Sequence, residues 1–336
     1  MADIVSLRSL PVLPSIFRVT GIAAVPQANG YEMTAQLHHA SASLTVNWQA
    51  RQPDVRLKPG VLVSPRWQSS LAALDQPVGI QRLVYLDRPE RSENLFRTVP
   101  AKDAFEADLY ERAGALWERL PLGFQELFNT LFWDGQRFLR YCTGPSSMIG
   151  HHARACGNLL HSVEVAETVL RLLPLHKAAN EAVALFAALV HDAGKADEYQ
   201  PRRHGGWNLS DRGCLIGHRT TVVEWLAVAR SRMRLGIPDA HYLSLLHALT
   251  AAQAPDWVGL RRPQTPEAHL LSLADRASGH ADLVNRHQAE EGGWGRSHPH
   301  LNGRPWTLPE TPARRTLPGL EAVYQAAKAA QGQERQ

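Results

Sequence analysis

The stretch AVALFAALVHDAGK, residues 182–195, decides the reading of this chain. Its first nine residues are apolar on every face of a helix, and such a helix belongs inside a core rather than at its surface. The helix then delivers His191 and Asp192 into that interior, and Ala193-Gly194-Lys195 turns the chain. A buried carboxylate without a partner costs several kcal/mol, so a cation beside Asp192 is its natural complement. A lone His-Asp dipeptide carries little weight; the apolar run in front of it does.

Outward from this stretch, apolar residues recur at helical spacing over 104–119, 122–141, 157–173, 179–192, 217–233, 239–252 and 267–286, with no strand pattern between them. Three further ligand-type residues lie beside apolar faces of other helices: His161, His218 and Asp275. Imidazole and carboxylate donors from separate helices make a mixed nitrogen and oxygen shell, which suits manganese, iron, cobalt, nickel or magnesium better than structural zinc. Taken singly, each is better explained as a satisfied core histidine or a surface aspartate; His161, His191, Asp192 and Asp275 together point to a metal site.

The N-terminal part reads differently. Tyr31, Met33, Ala35 and Leu37 alternate with polar residues, as do Leu44, Val46 and Trp48, and HHASAS separates the two runs as in a hairpin. Residues 60–67 and 80–86 are extended runs after turn residues. The economical fold for about five such strands is a small closed barrel, which leaves no bare edges. The fold class expected is therefore α+β in two domains: a small OB-like barrel over 1–90, a linker over 91–103, an all-helical domain over 104–310, and a C-terminal helix with a polar tail over 311–336.

Composition sets the limits. The 336 residues are 44% apolar and 20% charged, with 24 Gly and 22 Pro, the profile of a globular protein rather than a disordered or fibrous one. No apolar run approaches the roughly 18–20 residues of a membrane helix, and two prolines with Asp3 interrupt the start where a signal peptide would be apolar, so a cytoplasmic protein without a membrane partner is expected. The three cysteines form no CxxC pair. Net charge is only +4, but just five of the 36 basic residues are lysine. Arginine grips phosphate bidentately and stacks on bases, so this bias permits a polyanionic partner, and genomic codon bias explains it equally well.

The order His161, His191-Asp192, Asp275 resembles the HD phosphohydrolase superfamily, all-helical metal hydrolases. The likeness is closer still to YhaM-type 3′→5′ exonucleases, in which an OB-fold precedes the HD domain. It is carried by HHARACGNLLH at 151–161, LVHDAGKADEY at 189–199, GCLIGH at 213–218 and LLSLADRASGHADL at 270–283, and covers most of residues 144–285. The resemblance implies His161, His191, Asp192 and Asp275 as metal ligands, His151 and His152 as a pair near the substrate phosphate, and a divalent ion, manganese first among the candidates, at one or two per chain. Many two-metal relatives carry a His pair about 23 residues before the final Asp, where this chain has Ala251-Ala252; His247, a turn earlier, is the substitute candidate, and His218 serves either a second metal or a phosphate.

In such a site Asp192 would orient the attacking water, and Lys195, three residues on, would stabilise charge developing on phosphate oxygens. Arg202, Arg203, His204 and Trp207, in the loop directly after the HD turn, have the composition of a single-strand channel, which a solvated basic loop explains nearly as well. Trp48 and Trp67 are candidate stacking platforms on the barrel, although Trp48 shares its parity with core residues. The expected function is metal-dependent 3′→5′ hydrolysis of single-stranded RNA or DNA, with a homo-oligomer permitted. The alternatives are an HD phosphohydrolase of free nucleotides, which needs no barrel, and a non-catalytic single-strand binder with a decayed site.

Overall fold

The computed structural model describes residues 13–68, 77–100, 108–234, 236–253 and 260–309. The alternating runs form β2 (Gly30–His39) and β3 (Ala42–Ala50), paired antiparallel with Met33 opposite Trp48, Ala35 opposite Val46 and Leu37 opposite Leu44. All six of these side chains are buried, so the period-two pattern is the inner face of the sheet. With β1 (Phe17–Gln27), β4 (Leu62–Trp67) and β5 (Val78–Tyr85) they close a five-stranded barrel in the order β1-β2-β3-β5-β4, with β3 parallel to β5 and β1 closing antiparallel onto β4. This arrangement is compatible with an OB-fold.

A helical domain follows: α1 (Leu109–Glu118), α2 (Leu122–Phe132), α3 (Gly135–Thr143), α4 (Gly157–Leu172), α5 (Glu181–Val190), α6 (Lys195–Glu198), α7 (Asp211–Leu215), α8 (Gly217–Arg232), α9 (Asp239–Thr250) and α10 (Pro266–His287). Every side chain of α5 from Val183 to Val190 is fully buried, as its uniformly apolar sequence requires. Two compact units divide the chain at Gly279/His280, the first holding the barrel and the helices through most of α10. The second contains, among its described residues, the end of α10 and a short β8 (Gly293–Trp294)/β9 (Trp306–Thr307) pairing. The expected C-terminal helix near 317–330 and tail lie outside the described residues.

Two expectations about elements need correction. The helix expected over 122–141 is broken, because the Asp134 carboxylate accepts from the backbone N–H groups of Gln136 and Arg137 and starts a new helix there. The loop after the HD turn is a small hairpin, β6 (Tyr199–Pro201) and β7 (Trp207–Leu209), turned by Gly205 and Gly206 in left-handed conformations at φ +86° and +78°.

Barrel and helices are packed as one body. Ile16 and Leu62 lie in the same apolar cluster as the helical core, and so do Leu95, Phe96 and Val99 from the connecting segment. The Arg18 side chain is buried at this junction: Nη1 donates to Gly60 O at 2.7 Å, Nη2 and Nε donate to Thr98 Oγ1 at 2.8 and 3.0 Å, and the guanidinium sits 5.1 Å from the Phe138 ring centre. Burial lowers its pKa to about 10. Gly135 follows the cap of α3 because a Cβ there would lie 1.8 Å from Gly60 O.

Candidate metal centre

Four helices bring the polar residues together. α4 contributes His161 and, one turn on, Glu164; the end of α5 contributes His191 and then Asp192; α8 begins with His218; α10 contributes Asp275 and, one turn on, Ser278. Residues three apart on a helix share a face, so α4 and α10 each present a ligand-type side chain with a support behind it.

The inner set is tight. His161 Nε2 lies 3.2 Å from His191 Nε2, 3.1 Å from Asp275 Oδ1 and 3.5 Å from Asp192 Oδ2, and His191 Nε2 lies 3.6 Å from Asp192 Oδ2. His161, His191 and Asp275 can each offer one donor atom, all within 4.8 Å of one another.

The outer contacts define which ring nitrogens carry protons. His191 Nδ1 donates to Ala188 O at 2.8 Å, which leaves Nε2 as a lone pair facing inward. Ser278 Oγ donates to Glu164 Oε2 at 2.6 Å and so accepts from His161 Nδ1 at 3.0 Å, which leaves His161 Nε2 in the same state. Two imidazole lone pairs thus face one another and two carboxylate oxygens around one point, a donor set that a divalent cation satisfies and that repels itself otherwise. Supports of this kind behind the ligating histidines fix their tautomer and orientation. The residues fit a mixed N/O metal centre.

Electrostatics agree with that shape. Burial pushes the Asp192 carboxyl up, but Lys195, His191, His218 and His161 outweigh it and hold it well below the usual carboxylate range. Burial likewise opposes the ionised Asp275, yet its contact with His161 and its closeness to His191 bring it down to about 2. Both acids are ionised at neutral pH. Burial lowers the His161 pKa, keeping the ring neutral and ligand-competent. For Glu164, the hydrogen bonds from His152 and Ser278 overcome burial and hold the carboxyl below its ordinary value.

Asp192 is shared between two sides. Its Oδ2 takes the Lys195 ammonium at 2.5 Å, while Oδ1 faces His218 Nε2 at 3.3 Å. His218 Nδ1 donates to Glu198 Oε2 at 2.8 Å. Lys195 Nζ also donates to Ser146 Oγ at 3.1 Å, so the buried ammonium has a fixed place in the site.

His151 and His152 close another side. Their Nδ1 atoms are 3.3 Å apart, the His151 ring centre is 4.5 Å from that of His161, and His152 Nε2 donates to Glu164 Oε2 at 3.1 Å. His151, His152 and His161 form a second group able to offer donors within 4.8 Å. The loop holding them is forced: His152 and Cys156 are left-handed at φ +48° and +58°, and a Cβ on Gly157 would meet His152 O at 2.0 Å.

The structure gathers His151, His152, His161, His191, Asp192, Lys195, His218 and Asp275 and leaves other candidates apart. His247, expected as a substitute ligand, accepts the backbone N–H of Gln264 on Nε2 at 2.9 Å and belongs to neither group of residues able to hold a metal among the described residues. Trp48, expected as a stacking platform, is buried in the barrel core, because inward parity on β3 wins over exposure. Trp67 is half-buried, edge-on to Phe17. On the hairpin, Arg203 and His204 are exposed, Arg202 hydrogen-bonds Asn208, and Trp207 lies half-buried beside Gly144. Glu164, Ser278, Ser146 and Glu198 are functional contacts the sequence reading missed. The only local signal was position, Glu164 and Ser278 standing one helical turn after His161 and Asp275; Ser146, which takes the Lys195 ammonium, carried none.

Residues 158–279 match the family model for the HD domain. This part of the chain is an HD domain. The match spans His161, His191, Asp192, His218 and Asp275, and the HD domain suggests a metal-dependent phosphohydrolase. No curated protein and no solved structure matched the chain. Among the described residues no helix is long and apolar enough to cross a membrane.

The site gives the protein a definite acid response. Burial first, then His161 and Lys195, lowers the His151 pKa from 6.5 to about 4. Between those values the unfolded chain takes up a proton that the folded site refuses, so stability falls as pH drops from about 6.5 to about 4. Glu93, raised by burial from 4.5 to about 7, opposes this, since the folded chain keeps a proton there that the unfolded chain releases. Replacing His151 with Gln removes the first effect alone. The expected result is a gain relative to wild type of about 1–2 kcal/mol on going from pH 7 to pH 4.5, read by calorimetry in EDTA; parallel pH curves for the two proteins would contradict it.

Proposed function

We propose that the protein is a metal-dependent 3′→5′ exonuclease acting on single-stranded RNA or DNA. The observation that carries this reading is the union, through one apolar cluster, of an HD domain with a closed five-stranded barrel in an OB-compatible strand order. Enzymes of free nucleotides have no need of such a barrel, whereas a polymer substrate has. The arginine-bearing hairpin with Trp207 beside the loop that leads to His151 and His152 supports the same choice.

A divalent ion held by His161, His191, Asp192 and Asp275 would supply charge neutralisation at a phosphoester and acidify a water. The protein's own groups do the rest. Ser278 and Glu164 keep the His161 Nε2 lone pair inward, and the Ala188 carbonyl does the same for His191. Lys195, fixed between Asp192 and Ser146, places a positive charge where phosphate oxygens gain negative charge. His218, oriented by Glu198, and His151, neutral near pH 7, offer ring nitrogens to phosphate or to a leaving-group oxygen.

The test is hydrolysis of 3′- and 5′-labelled single-stranded RNA and DNA with manganese, magnesium, cobalt, nickel or ferrous ion supplied in turn. The expected product from the 5′-labelled strand is a ladder shortening from the 3′ end, with blunt duplex a poor substrate and activity falling steeply with salt. Cleavage of free nucleotides alone, with strands untouched, would replace this reading with a nucleotide phosphohydrolase. Binding of strands without cleavage by any metal would leave a single-strand binder.

A further inference from the structure

Beside the metal centre lies a cavity of about 250 Å³, with His191 and Asp275 on one side. Its size is below the roughly 300–1,000 Å³ usual for pockets of drug-sized ligands, so it admits one nucleoside-sized group and not a folded or branched one. Part of its lining is short, with Ala251, Ala252 and Ala268 beside Leu271. Arg219 and Arg276, both exposed, are among the residues that line the same cavity.

Arg219 has no hydrogen bond or ion pair among the described residues, whereas Arg112, Arg119 and Arg140 are each bound to a carboxylate. Arg276 uses Nε on the Ser272 carbonyl at 3.1 Å, which leaves its Nη groups to other partners. Each follows a residue of the central cluster in sequence, His218 and Asp275 respectively. Successive helical residues diverge by about 100°, so both arginines stand beside the cluster rather than in it. A guanidinium with free N–H groups beside a cation site matches the oxygens of a phosphate.

We propose that this cavity binds the terminal nucleotide of the substrate, its sugar and base against the alanine wall and its phosphate gripped by Arg219 and Arg276. The inference rests on the reading of the HD site as a phosphoesterase and adds its substrate subsite. A pocket for one nucleotide unit, next to the ligands, makes the enzyme act at an end and release nucleoside monophosphates.

Binding of AMP and of inorganic phosphate to the full chain, by equilibrium dialysis, tests it directly. In the Arg219→Ala/Arg276→Ala variant both ligands should bind at least tenfold more weakly, with metal content unchanged. In Ala252→Phe, which fills the cavity, AMP should weaken at least tenfold while phosphate changes less than twofold; Ala252→Leu gives a smaller version if the larger ring disturbs folding. Wild-type affinity for AMP in the filled and the arginine variants, or no AMP binding by wild type, would overturn the proposal. Strand and phosphodiester hydrolysis by wild type is measured alongside: hydrolysis with AMP binding insensitive to these changes removes only the pocket, and AMP binding that responds as expected without any hydrolysis removes only the phosphoesterase reading.

Discussion

Asp192→Ala should abolish phosphoester hydrolysis, by at least a thousandfold in kcat/KM, and should empty the metal centre on dialysis. Oδ2 approaches both His161 and His191 and Oδ1 faces His218, so one substitution removes the acid that joins both halves of the site. The change is not silent for stability. Lys195 is buried and has Asp192 as its ion-pair partner, so the variant leaves an uncompensated ammonium inside the protein, at a cost of about 3–5 kcal/mol. Asp192→Asn/Lys195→Met removes both charges and should recover much of the lost melting temperature without recovering activity. Elemental analysis of dialysed wild type belongs to the same experiment. The side facing His218 offers one imidazole and one shared carboxylate oxygen, with His247 engaged elsewhere, so about one equivalent of metal should remain. Full hydrolysis by the Ala variant under saturating metal would end the assignment of Asp192, and two equivalents retained by wild type would show a second site, at His218 or at the group of His151, His152 and His161.

How much of this was legible in sequence follows the range of the interactions. The barrel's inner face is a local signal, since Met33, Ala35 and Leu37 alternate with polar residues on one strand. The apolar α5 with His191-Asp192 at its end is local as well, and it exposes the buried polar cluster by contradiction. The break at Asp134 was readable as a helix cap, but the apolar periodicity on both sides masked it. The Ser278–Glu164 contact was not readable, because its partners are 114 residues apart and meet only when α4 and α10 pack together. Trp48 was legible on the same ground as the barrel's inner face: an aromatic residue invites a binding role, but its shared parity with Leu44 and Val46 favoured the core, where it lies.

Gly194 belongs among the illegible residues, and it yields the second large effect. In sequence it reads as a turn residue, yet its backbone is ordinary right-handed helix, φ −62° and ψ −16°, so alanine would fit conformationally. The obstacle is another chain segment: a Cβ at 194 would lie 2.2 Å from His218 O and 2.8 Å from both His218 C and Cα. Contacts under 3 Å to backbone cannot be relieved by turning a side chain, so the HD turn and the start of α8 must move apart. That movement draws His218 away from Asp192 Oδ1 and loosens its contact with Glu198, while His161, His191 and Asp275, held by α4, α5 and α10, keep their places. Gly194→Ala should therefore lower kcat by about 100-fold, as a 1 Å misplacement does elsewhere, and lower stability by about 1–3 kcal/mol from overpacking. Metal content should be nearly unchanged. The split between retained metal and lost turnover is the informative readout. If Gly194→Ala keeps wild-type kcat, the close approach of the HD turn to α8 does not position His218 for catalysis; if it loses metal as completely as Asp192→Ala, the turn supports the ligands themselves and not His218 alone.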